Sequence, residues 1–190
     1  MPRLGLADQT DLARWAESLA ARGDFPRLIR RLILETGRGI VQLGFPAGEG
    51  IGSEGWDGSV WATEATAFIP AGLSLWEVST RKDVKRKADH DYAKRLGTPD
   101  GSPPSDSTYV AALLRRWRDR TNWAKGKAAD ERWRAVRAYG LDDIETWLES
   151  APVTHAWLSE LVGLHPTVSS RQRPGGLGGQ GPHPLPFHPT

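Results

Sequence analysis

No cysteine occurs in the 190 residues. That excludes disulfide bonds, thiolate-ligated zinc and thiol nucleophiles, and it fits a reducing compartment. Long apolar runs are also missing. None approaches the roughly 18 residues that a membrane-spanning helix needs, so no membrane association is expected. The N-terminus lacks the basic-then-apolar pattern of a secretory signal, and the expected location is cytoplasmic. Neither sign of charge dominates: 25 Lys and Arg face 23 Asp and Glu, for a formal net charge of +2. Apolar residues make up only 38% of the chain, partly because its C-terminal end is so rich in glycine and proline. Residues 171–190 hold five Gly, five Pro and two His with no periodicity. Such composition cannot bury enough surface to order itself. The division expected is a single domain over 1–164 and a disordered tail over 165–190, in which His183 and His188 read as inert.

What is present is unevenly placed. Residues 1–80 carry seven Lys/Arg against ten Asp/Glu. Residues 81–95 carry seven against three, and residues 115–137 nine against three. A local basic surface suits a polyanionic partner better than uniform basicity does. Two solvated helix faces are the bland alternative. Nine tryptophans are many for this length. Their ordinary use is core and rim packing, and Trp56 and Trp76 are read so.

Hydrophobic spacing orders the chain. Leu12, Trp15, Ala16 and Leu19 predict a helix over 8–22, with Asp8 or Thr10 as cap and a break at Gly23-Asp24. Pro26 then suits the first turn of a second helix, 26–36. Val41, Leu43 and Phe45 alternate in a first strand. The glycine-rich link that follows lacks the Gly-Lys-Ser/Thr ending of a phosphate loop. A second strand is expected from Trp56 to Thr63 and a third from Leu73 to Thr80. Residues 83–96 read as a helix with His90 exposed, and 97–107 as a loop. A fourth strand over 108–114, a helix near 121–131 and a fifth strand over 133–139 come next. Asp142 or Asp143 caps a helix to Ser150, and a last helix starts at Pro152. The order predicts an α/β fold: a mixed central sheet of about five strands flanked by helices, strands one to three forming an antiparallel meander.

Two acids stand out within that plan. Asp57 opens the second strand, and Glu77 sits among apolar neighbours inside the third. A buried, unpaired carboxylate costs several kcal/mol (~2–7 for an uncompensated polar group), so Glu77 calls for a metal, a hydrogen-bond network or a sheet edge. Carboxylates on neighbouring strands can hold Mg²⁺ (or Mn²⁺), which neutralises a phosphate and acidifies its water. Lys85, Arg86 and Lys94 on the basic helix, with Arg115, Arg116 and Arg118, are then candidates to hold a phosphate backbone.

This arrangement resembles the PD-(D/E)xK, restriction-endonuclease-like family, and more closely a bacterial variant found as the N-terminal domain of larger NTP-dependent defence-type proteins. The resembling blocks are Phe45–Gly50, Gly55-Trp56-Asp57-Gly58, Trp76–Thr80, Lys82-Asp83, Lys87-Ala88, Asp91-Tyr92, Lys94-Arg95, Arg115-Arg116-Trp117, Trp133–Val136 and Leu141–Glu149. They span roughly residues 25–163. By position, Asp57 matches the motif's first acid and Glu77 its second. Ser79 occupies the place of the motif lysine, and Lys82 is the nearest lysine beyond it. The resemblance implies Asp57, Glu77 and Lys82 as catalytic residues, Asp57, Glu77 and Glu49 as metal ligands, and Glu35 as a weaker candidate. It implies a Mg²⁺-dependent endonuclease acting on DNA, or on RNA, in bacterial defence, with an NTPase or sensor protein as partner. The alternative is a catalytically idle module of the same fold that binds nucleic acid or a protein; Ser79 favours it.

Overall fold

The computed structural model describes residues 5–45, 55–96 and 104–164. In chain order these form α1 (Gln9–Trp15), α2 (Leu19–Thr36), β1 (Ile40–Gly44), β2 (Gly58–Ala62), β3 (Gly72–Ser79), α3 (Val84–Leu96), β4 (Thr108–Leu113), α4 (Arg120–Ala128), β5 (Ala135–Tyr139), α5 (Leu141–Glu149) and α6 (Pro152–Leu161). A single 3-10 turn at Pro104–Asp106 precedes β4. The expected tail lies outside the described residues. No helix among them is long and apolar enough to cross a membrane.

Alternation builds the sheet. Its strands lie in the order β1-β2-β3-β4-β5. The first three form the expected antiparallel meander, and β4 and β5 run parallel to β3. All six residues of β4 are buried, as befits a strand covered on both faces. Val110, Ala112 and Leu114 enter one core with Val60, Ala62, Trp76 and the apolar stripes of α1, α2, α5 and α6. Tyr109, Ala111 and Leu113 enter a second core with Leu75, Ala88 and Tyr92 of α3, and Trp123 of α4. Helices therefore cover both faces of the sheet.

The first helices divide differently from the expected pattern. Asp8 caps α1, accepting from the N–H groups of Thr10 and Asp11, and the helix stops at Trp15. Ser18 then accepts from Ala21 N–H at 3.1 Å and starts α2, which continues through Gly23 and Pro26 to Thr36. A proline inside a helix costs about 3 kcal/mol. Here Phe25, Leu28, Ile29, Leu32 and Ile33 are each at most 1% exposed. Burying side chains of this kind is worth roughly 1.5–3 kcal/mol apiece, which outweighs the proline. The fifth strand is shorter than expected, starting at Ala135. Gly140, not Asp142 or Asp143, is the N-cap of α5; the Asp143 side chain reaches back to accept Gly140 N–H at 2.8 Å.

Glu35 has a structural task. Its carboxylate accepts from Val153 N–H at 2.9 Å and Thr154 N–H at 2.7 Å, in the first turn of α6. Proline begins that helix and no side chain of its own caps it. A carboxylate from α2 supplies both the missing acceptor and a charge that suits the helix N-terminus.

Candidate functional site

The antiparallel register between β2 and β3 pairs Gly58 with Trp76. One residue further on, the same register sets Asp57 against Glu77. The ladder ends there, and Asp57 replaces it with its side chain: Oδ2 accepts Val78 N–H at 2.8 Å. Gly58 leaves room here for the Phe45 ring. A Cβ at that position would lie 2.3 Å from the Phe45 ring, which packs directly over the glycine.

Glu77 is only 7% exposed and lies on the α3 face of the sheet, beside Ala111 of β4. Burial demands a partner, and Arg95 provides it: the guanidinium Nε donates to Glu77 Oε1. The same guanidinium donates to the Gly55 carbonyl and lies 4.4 Å from the centre of the Trp56 ring. Arg95 is itself 5% exposed. Burial first, and the Asp57 charge second, push the Glu77 carboxyl up from 4.5 to about 8, against the pull of Arg95. Glu77 thus gains a proton on folding between pH 4.5 and about 8. More protons bound in the folded state means that unfolding free energy falls as pH rises through this window. Urea melts at about pH 5.5 and about pH 8 should show the lower midpoint at the higher pH. The difference should shrink in Glu77→Gln; an unchanged difference would locate the titration elsewhere.

Helix α3 supplies the facing wall. Lys87, Asp91 and Arg95 are spaced four residues apart and so share one face. Lys87 Nζ donates to Asp91 Oδ1 at 2.6 Å, and Asp91 is buried. Between this face, the end of β3 and the first half of α2 lies a cleft of about 520 Å³. Arg22, Arg81, Lys87, Lys94 and Arg95 line it together with Asp57, Glu77 and Asp91, so five cationic side chains meet three acidic ones. Val78, Ser79 and Thr80 at the end of β3 also line it.

Asp57 and Glu77 are thus brought together, and Lys94 lies in the same cleft. Lys82 is directed elsewhere: its Nζ is 2.7 Å from Glu17 Oε2, its side chain is 76% exposed, and it is not among the cleft residues. Arg115 is largely committed to backbone, donating to the carbonyls of Thr80 and Ala16 at 2.7 Å each, and to Glu17. Lys85 pairs with Asp89, Arg86 with Asp83, and Arg116 donates to Gln9. Arg118 is exposed. Lys87, Asp91 and Arg95 stand in the resembling blocks without a site role, and their spacing of four on a predicted helix is the signal that could have assigned one.

A hard divalent cation that keeps most of its waters needs only one or two carboxylates. Glu77 Oε2 and Asp57 Oδ1 have no hydrogen-bond donor among the described residues, and both are hard oxygen donors of the type such an ion takes. No group of three or more acidic, His or Cys side chains arranged to hold a metal occurs among the described residues. Glu49 lies outside them. Compared with family models, curated proteins and solved structures, the chain finds no match in any of the three.

Proposed function

We propose that the chain is a Mg²⁺-dependent nuclease domain of the restriction-endonuclease-like type, which hydrolyses phosphodiester bonds in DNA. The observation that carries this reading is that Asp57 and Glu77, set opposite each other by the β2–β3 register, line one cleft together with Lys87 of α3. Asp57 and Glu77 are the residues to hold Mg²⁺ or Mn²⁺. The bound cation supplies charge neutralisation at the phosphate and a more acidic water.

The chain's own residues account for the rest. Lys87, held by Asp91, presents an ammonium to the charge that develops on the phosphoryl oxygens. It fills the role that the motif assigns to a lysine two residues past the second acid, where this chain has Ser79. An ammonium acts by its position in space, so a helix can deliver it as well as a strand. Arg22, Arg81 and Lys94 along the cleft suit the flanking phosphates, whose neutralisation dominates affinity for nucleic acid. Service as a bacterial defence effector, with an NTPase or sensor protein as trigger, rests on the family resemblance. A second reading, an idle module that binds nucleic acid or a protein, draws on Ser79 and on the Arg95 contact that already engages Glu77.

The test is incubation of the whole chain with supercoiled and linear DNA, and separately with RNA, in Mg²⁺ and in EDTA. Cleavage of DNA that needs Mg²⁺ and stops in EDTA is the expected result. Salt-sensitive binding without cleavage would transfer the assignment to the idle module. Cleavage of RNA alone would change the substrate.

A further inference from the structure

The Arg95 guanidinium occupies an unusual position for a structural ion pair. It is buried, it lies 4.4 Å from the centre of the Trp56 ring, and it binds one of the two carboxylates that the nuclease reading needs for a cation. We propose that Arg95 is a two-position residue, which holds the Glu77 carboxyl in the empty cleft and turns to a substrate phosphate once Glu77 holds a divalent cation. This rests on the nuclease reading of the site.

The physical reasoning is one of charge balance. Removing one partner from a buried ion pair leaves the other charge uncompensated, and that is strongly unfavourable. If Glu77 Oε2 engages a cation while Arg95 stays on Oε1, the cleft gains two positive charges beside a guanidinium that must share the same carboxylate with them. Lys87 cannot relieve this, because it is another cation. Asp91 is already shared with Lys87 at 2.6 Å. A phosphodiester resolves the imbalance, since a guanidinium matches phosphate oxygens as well as it matches a carboxylate. Trp56 gives the guanidinium a surface to pivot on, because its cation–π attraction to the ring persists while the N–H donors change partner. The fixed end of the movement is the α3 backbone, one residue before the helix ends at Leu96. Cation and phosphate are therefore coupled: each binds weakly without the other, and the cleft is guarded against a cation in the absence of DNA.

The coupling is measurable without turnover. Free Mn²⁺ is followed by electron paramagnetic resonance for wild type, Arg95→Met and Arg95→Lys, each with and without a cleavage-resistant phosphorothioate duplex. Far-UV circular dichroism checks folding. In wild type the duplex should tighten Mn²⁺ binding on the order of tenfold, a common size for coupling between two sites. In Arg95→Met, Mn²⁺ should bind about tenfold tighter than in wild type without duplex, and the duplex should add little. Arg95→Lys keeps a cation without the planar fork and should fall between, so it serves if the methionine variant does not fold. Equal Mn²⁺ affinity in wild type and both variants overturns the proposal. If wild type then still cleaves DNA in Mg²⁺, the nuclease reading survives and only the coupling is lost. If wild type neither cleaves DNA nor binds Mn²⁺, both fall.

Discussion

Glu77→Gln should lower Mg²⁺-dependent DNA cleavage by about 10²- to 10³-fold, the loss typical of removing a major electrostatic element from an active site. Glutamine keeps the shape of the side chain but offers a cation only a neutral amide oxygen. Lys87→Ala should fall by a similar factor, on the order of 10². Lys82→Ala is the matched control. Its ammonium pairs with exposed Glu17, and the cleavage rate should stay within about threefold because such a surface pair contributes little. Initial rates on one DNA substrate, with circular dichroism on each variant, separate these outcomes. Loss in Lys82→Ala with none in Lys87→Ala would return the catalytic ammonium to Lys82. Because Ser79 lies in the cleft, Ser79→Lys added to Lys87→Ala should restore part of the rate.

Trp76→Ala should destabilise the fold by about 3–5 kcal/mol, the range for deleting a large buried aromatic. Trp76 is 0% exposed and meets Phe45, Tyr139 and Trp147 with ring centroids 6.1, 6.1 and 6.2 Å away. Its indole N–H donates to Ser74 Oγ at 2.9 Å, so the substitution removes a buried hydrogen bond as well as opening a cavity; the Ser74 hydroxyl keeps only its bond to the Val60 carbonyl. Against a typical total stability of about 5–15 kcal/mol, a loss of this size brings the domain close to its limit. Urea denaturation followed by far-UV circular dichroism measures it. Trp61 is 48% exposed on the neighbouring strand, and Trp61→Ala should cost less than about 1 kcal/mol. Equal losses at the two positions would mean that the Trp76 core is not the centre of stability.

Much of this was visible in the residue pattern, because strands and helices announce themselves by local period. The alternation of β3 placed Leu75 and Glu77 on one face and Trp76 on the other, and that division holds. The acid among apolar neighbours required a partner, and it has one. Which partner could not be read. Arg95 lies 18 residues downstream, and its encounter with Glu77 depends on how α3 is rotated against the sheet. No local period encodes that rotation. Lys82 was expected at the site because it is near Glu77 along the chain, yet the chain turns just after β3 and sends Lys82 toward Glu17 at the end of α1. The basic run from Arg115 suggested phosphate contacts by composition. The positions of the Thr80 and Ala16 carbonyls, which engage Arg115, are tertiary facts. Pro26 read as a helix start, but the buried stripe on either side of it keeps α2 going.

The order of the strands across the sheet repeats their order along the chain. Each strand can therefore be added beside the one before it as the polypeptide emerges, with no earlier strand left waiting for a distant mate. Every described residue lining the cleft falls between Arg22 and Arg95. The half of the molecule that lines the cleft is thus specified first, and β4, β5 and the last two helices act as its buttress. The closing step belongs to the two ends of the domain, where Ala7 N–H meets Ser159 Oγ at 2.8 Å and the His155 ring meets the Ala7 carbonyl at the same distance. Sequence drift in the second half would then be felt as altered durability of the domain, and drift in the first half as an altered cleft.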